Sequence, residues 1–209
     1  MVLAGDLRLT TNDGMRLFVA LDIDDAIRQR IQRFMEGVSG FAPEARWVRP
    51  ESLHVTLKFI GEKPNQAVEE IKRVLSGVRS ESIELSFRGY GFFPTAKAAR
   101  VFWVGIDSGP QLVSLAKAID ETTFALGITK EGHPFAAHLT LARGGGRSRA
   151  PRGEKGDTQN KTFQRLQEKL AALPGPVFGT MATHEFFLYQ SQAAPGGSRY
   201  TKIARFAPE

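Results

Sequence analysis

Two short segments of this chain repeat one pattern. Leu53-His54-Val55-Thr56-Leu57 and Ala137-His138-Leu139-Thr140-Leu141 both read apolar, His, apolar, Thr, apolar, and their histidines stand 84 residues apart. Side chains of a strand alternate between its faces, so the apolar residues of each segment point to a core while His and Thr point together the other way. Each segment therefore offers one imidazole and one hydroxyl. Two imidazoles facing one pocket suit the cleavage of a phosphodiester, where one takes a proton from the nucleophile and the other supplies one to the leaving oxygen. The hydroxyls of Thr56 and Thr140 can donate to non-bridging phosphate oxygens as their charge grows. That is acid–base chemistry without a metal or cofactor.

Rival chemistries fit the residues less well. Neither motif carries a carboxylate or second histidine at metal-ligand spacing. No Gly-x-Ser-x-Gly turn is present, and Gly144-Gly145-Gly146 lacks the Gly-Lys-Ser/Thr ending of a phosphate-binding loop. Of the other histidines, His133 precedes Pro134 and His184 precedes Glu185, and both are expected to be structural or solvent-exposed. A non-catalytic RNA- or nucleotide-binding module would need basic charge but not the paired motifs.

The elements that must hold these residues read as mixed α/β. Arg16–Asp22 is β-prone, and Asp24 stands before a helical spacing of Ile27, Ile31 and Phe34 that should stop near Gly37 to Gly40. Trp47-Val48 before Pro50 reads as a short edge strand. A strand over 53–60 is expected to close at Gly61, with a helix carrying Val68, Ile71 and Leu75 after Asn65. Strands over 83–93 and 100–107 flank a hairpin-like loop, and Leu112, Leu115, Ile119 and Phe124 return to helical spacing. After the strand 138–143, the reading gives a helix over about 158–170, one strand over 180–190, a turn at Pro195 and a final strand over 199–206.

The 209 residues suit one large domain or two packed lobes. Cysteine is absent, which removes disulfides and thiolate sites and fits a reducing cytoplasm. No run approaches a membrane span, and Met1 to Thr11 lacks the order of a signal peptide. Seven of the Lys and Arg residues fall within 143–165 against Glu154 and Asp157, so the net charge of +6 is concentrated there. Its Gly/Arg-rich part, about 144–157, is expected to be an exposed loop, either clamping a polyanion or simply solvated.

With the paired motifs go further landmarks: Arg16-Leu-Phe-Val-Ala-Leu, Trp47 with His54-Val-Thr-Leu-Lys-Phe-Ile-Gly-Glu62, Ala99-Arg-Val-Phe-Trp-Val104, Phe135 with His138-Leu-Thr-Leu-Ala-Arg143, and Tyr200 to Phe206. On these the chain resembles, nearly end to end, the two-histidine (2H) phosphoesterases and within them the LigT-type RNA 2′,3′-cyclic phosphodiesterases, also described as 2′-5′ RNA ligases. The resemblance implies a single bilobal domain over 1–209, two pseudo-symmetric lobes with antiparallel sheets around a central cleft, and one motif on each wall. It implies opening of a terminal 2′,3′-cyclic phosphate to a 2′-phosphate, with His138 as base and His54 as acid. Thr56 and Thr140 would hold the phosphate, Arg143 would neutralise it or contact the backbone, and Phe41, Trp47 and Phe135 are candidates to stack on a base. RNA with a cyclic phosphate end, or a small cyclic nucleotide, is the implied partner. The same site run backwards would be a 2′-5′ ligase. Nothing in the sequence demands more than a monomer. The chain departs from the family's Arg-Pro before the second histidine, with Phe135-Ala136-Ala137 in its place.

Overall fold

The computed structural model describes residues 14–144, 161–195 and 197–207. Its strands are β1 (Gly14–Leu21), β2 (Arg46–Trp47), β3 (Val55–Pro64), β4 (Ile83–Phe93), β5 (Val101–Ser108), β6 (His138–Arg143), β7 (Val177–Thr183), β8 (Phe186–Ala194) and β9 (Gly197–Phe206). The α-helices are α1 (Asp25–Val38), α2 (Ala67–Ser76), α3 (Pro110–Phe124) and α4 (Gln164–Ala171). Two sheets result, ordered β3-β1-β8-β9 and β2-β6-β5-β4-β7. Every pairing in both is antiparallel.

Amphipathic spacing accounts for the helices. Ile27, Ile31, Met35 and Val38 of α1, Val68, Ile71 and Leu75 of α2, and Leu112, Leu115 and Ile119 of α3 are all buried. One apolar cluster takes in these residues with side chains of both sheets, such as Val19 and Val55 from one and Leu85 and Phe102 from the other. The helices cross between sheets. α1 follows β1 but lies on β7, where Arg30 Nη1 donates to the Phe178 carbonyl at 2.9 Å, and α3 follows β5 but lies on β3. Hence the strands carrying the two motifs share one core and touch each other.

Three expectations need correction. The strand at 53–60 does not end at Gly61. Gly61 adopts φ +83°, a conformation glycine takes without penalty, and pairing with β1 continues to Pro64. The strand at 180–190 is two strands, since the chain turns at His184 and Glu185 and passes from β7 in one sheet to β8 in the other. Phe124 does not share the apolar face of α3. It is exposed at the helix end, with the Lys130 ammonium 4.9 Å from its ring centre. The last helix begins at Gln164 after a short turn at Lys161–Phe163. Beyond Gly144, the basic segment 144–157 lies outside the described residues. Among the described residues no helix is long and apolar enough to cross a membrane.

Candidate active site

His54 stands at the mouth of β3 and His138 opens β6. The alternation holds for the first residues of each motif: Val55 and Leu57, Leu139 and Leu141 are buried, and His54, Thr56, His138 and Thr140 are partly open on the opposite face. It then breaks, at the same place in both strands. Opposite β1, Val19 pairs with Lys58 and Ala20 with Thr56, which leaves Leu57 as an extra residue. Opposite β5, Phe102 pairs with Ala142 and Trp103 with Thr140, which leaves Leu141 as an extra residue. Each bulge lies three residues after its histidine and shifts the later side chains by one face. Leu57 and Lys58 are consequently both buried, as are Leu141 and Ala142. Phe59 and Arg143, five residues after their histidines, join the histidine face instead of pointing away.

The two imidazoles are held alike. His54 Nδ1 lies 2.7 Å from the Ser52 carbonyl oxygen and His138 Nδ1 lies 2.8 Å from that of Ala136. A carbonyl only accepts, so Nδ1 carries the proton in each ring and Nε2 is left for substrate. Arg28 of α1 fixes the turn before His54: its Nη1 donates to the carbonyls of Pro50 and Leu53 at 2.7 and 3.3 Å, and its Nη2 to Asp22 at 2.6 Å. Aromatic rings wall in both imidazoles. Phe18 lies 4.8 Å and Tyr200 5.1 Å from the His54 ring, and Phe93 lies 5.0 Å from that of His138. Trp103 also flanks His138, and its cross-strand partner must be glycine, because a Cβ on Gly91 would come within 2.1 Å of the indole.

A cavity of about 530 Å³ lies in front of this face. His54, Thr56, Thr140 and Arg143 are among its walls, joined by Trp47 and Phe59. Among the described residues four arginines line it, Arg16, Arg46, Arg49 and Arg143, and no carboxylate does. His138 is not itself a wall of this cavity, yet it stands on the face of β6 that carries Thr140 and is close enough for its charge to bear on His54. Burial pushes the His54 imidazole down to about 4, aided by the charges of Arg143 and His138 and opposed by the Ser52 carbonyl and Asp22. Burial, with Arg143, also lowers His138. Both shifts favour the neutral form of the ring. The site is shaped for an anion, whose arrival would raise both.

Of the residues singled out in the sequence, His54, Thr56, Thr140, Arg143 and Trp47 meet at the cavity and His138 stands beside it. Phe41 and Phe135 are not among its walls. The short turn at Ser39–Phe41 carries Phe41 to Lys169, whose ammonium sits 5.4 Å from the ring, and Phe135 packs against the core. The exposed ring at the cavity is Phe59, 54% accessible, which strict alternation would have turned away from the histidine face. Arg46, Arg49 and Ser198 were also unmarked, since each enters from a short edge strand, a turn or a distant hairpin. His133 and His184 are exposed.

Comparison with known proteins places relatives beside this geometry. The family model described as LigT like Phosphoesterase matches residues 21–103, which includes the first motif. An RNA 2′,3′-cyclic phosphodiesterase of Archaeoglobus fulgidus is 33% identical over 92% of this chain and 99% of its own. One from Escherichia coli is 28% identical over 94% of this chain and 98% of its own. The crystal structure of E. coli LigT complexed with 3′-AMP superposes with a TM-score of 0.71 at 27% identity, covering 93% of this chain and 98% of that one.

Proposed function

The chain belongs to the LigT-like phosphoesterase family, and from that premise we propose that it is an RNA 2′,3′-cyclic phosphodiesterase in which His54 and His138 are acid and base. One observation carries the reading. Two imidazoles with their Nδ1 protons tied to the main chain, two threonine hydroxyls and Arg143 gather in and beside a cavity that, among the described residues, four arginines and no carboxylate line. That is a receptacle for a phosphoryl group whose proton traffic is handled by histidines.

The reaction follows from these parts. His138 Nε2 takes a proton from water as its oxygen attacks phosphorus, and the bond from phosphorus to the 3′-oxygen breaks as His54 Nε2 gives that oxygen a proton. The products are a 2′-phosphate and a free 3′-hydroxyl. Thr56 and Thr140 donate to the non-bridging oxygens and Arg143 offsets their charge as it grows. After turnover the proton on His138 and the vacancy on His54 are exchanged through solvent.

The test is a short RNA ending in a 2′,3′-cyclic phosphate, incubated with the protein in excess EDTA and resolved against 2′- and 3′-phosphate standards. Turnover to the 2′-phosphate, at the same rate with and without EDTA, is the expected result. An inactive protein, or a 3′-phosphate product, would sink the reading.

The lowered histidines set the pH dependence. Turnover from free enzyme needs one ring protonated and one neutral, so kcat/KM should peak between about 4, set by His54, and the value of His138, which lies below the ordinary 6.5. Above that window it should fall about tenfold per pH unit. The kcat profile, which reports rings already facing the phosphate anion, should keep its activity to higher pH. Coincident profiles would show that the bound anion does not retune them.

A further inference from the structure

Arg46 of β2 and Arg143 of β6 are direct cross-strand partners. Like charges opposite one another on a sheet repel, and proteins commonly relieve such a pair with a carboxylate. Here neither guanidinium has an ion pair or hydrogen bond among the described residues. Arg49, by contrast, donates to the Ser198 carbonyl at 2.9 Å and pairs with Glu51 at 3.5 Å. Both Arg46 and Arg143 line the cavity, and among the described residues no acidic side chain shares its wall. The bulge at Leu141 turns Arg143 to this face.

The two arginines differ in one respect. Arg143 lies on β6 with His138 and Thr140, and its charge bears on both His54 and His138. Arg46 stands one strand further out, on the two-residue edge strand β2. A cyclic phosphate carries one negative charge, which Arg143 with the two threonines suffices to meet. Arg46 is left with its charge unanswered on the wall of the same cavity.

We propose that Arg46, backed by Arg143, forms a second phosphate subsite that holds the phosphodiester preceding the terminal cyclic phosphate, so that the enzyme selects oligonucleotide ends over mononucleoside 2′,3′-cyclic phosphates. The inference rests on the cyclic phosphodiesterase reading above. Guanidinium groups meet phosphate oxygens with paired N–H donors, and such contacts position a chain without reading its bases. The selection is therefore for length and charge, not sequence. The exposed ring of Phe59 on the same cavity wall adds a surface that any base can stack on.

Three substrates test it: a mononucleoside 2′,3′-cyclic phosphate, a dinucleotide ending in the same group, and that dinucleotide with its internal linkage replaced by an uncharged methylphosphonate. Wild type should favour the charged dinucleotide in kcat/KM by about tenfold or more, and the methylphosphonate should lose that advantage, since hydrogen bonds to charged groups contribute on this scale. Arg46→Gln should abolish the preference, lowering the rate on the charged dinucleotide by about tenfold more than that on the mononucleotide. Its melting temperature, compared with that of wild type, checks that the variant is folded. Equal rates for wild type on all three substrates, or an equal fall on all three in Arg46→Gln, would overturn the subsite while leaving the activity in place. No turnover of any of them would overturn the activity itself.

Discussion

His54→Ala and His138→Ala are each expected to lower kcat on a cyclic-phosphate RNA end by about 10²- to 10⁴-fold, the range that a positioned acid or base contributes. Because both protons move in the same displacement, the double variant should fall by much less than the product of the two single losses. His54 is packed between Phe18, Tyr189 and Tyr200, so its alanine variant also opens a small cavity. His54→Asn, which refills part of that volume, should restore the melting temperature and none of the rate. The two roles can then be separated chemically. With sulfur in place of the bridging 3′-oxygen the leaving group needs no proton, so the variant lacking the acid should recover most of its rate and the variant lacking the base should not. Recovery in His54→Ala alone assigns His54 as acid, and recovery in His138→Ala alone reverses the order. Recovery in neither would mean that leaving-group protonation is not limiting, and single variants with near-normal rates would dismiss histidine catalysis.

The catalytic pair was open to a reading of the chain because it depends on the simplest periodicity in proteins. His-x-Thr with apolar neighbours places both polar groups on one face of any half-buried strand, and the structure keeps that arrangement in β3 and β6. What the alternation could not carry was the next turn of each strand. A bulge adds one residue with no compositional mark, and after Leu57 and Leu141 it exchanges inside and outside. That is why Phe59 supplies an exposed ring at the cavity, and why Arg143 reaches it although its separation from His138 is odd. The split between β7 and β8 was hidden for a related reason. Both segments are apolar, and a turn at His184 and Glu185 holding no Gly or Pro gives no composition signal. Arg46 was invisible because its role comes from the strand it lies beside, a relation between residues 97 positions apart.

The same bulge buries a charge, and the second large effect follows from it. Lys58 is 1% exposed, and its ammonium donates to Asp120 of α3 at 2.5 Å and to the Thr129 carbonyl at 2.6 Å, with Glu131 at 3.7 Å. Asp120→Ala should destabilise the protein by roughly 3 to 5 kcal/mol, since it leaves an ammonium in the core with its nearest counter-charge removed. For a chain of this size that is a fall in melting temperature of about 10 °C. Lys58→Met should cost less, because Asp120 retains 20% side-chain exposure and can turn to water. The pair Lys58→Met with Asp120→Ala should return most of the loss, an apolar contact standing in for the ion pair. The pH dependence has a definite sign. Burial acts against the Asp120 carboxylate but is outweighed by hydrogen bonds from Lys58 and the Glu131 backbone N–H, so its pKa lies below the ordinary value. A depressed carboxyl stabilises the fold above its unfolded pKa, and that contribution disappears as pH falls through the folded one. Wild type should therefore lose stability below about pH 4, while the double variant should lose less over the same interval. Were the double variant as unstable as Asp120→Ala, the cost would lie in lost α3 packing and not in the stranded charge. The ion pair also bears on the site. An unbulged register in β3 would turn Lys58 toward the cleft and Phe59 into the core, so the bond between Lys58 and Asp120 favours the register that leaves Phe59 exposed beside His54 and Thr56.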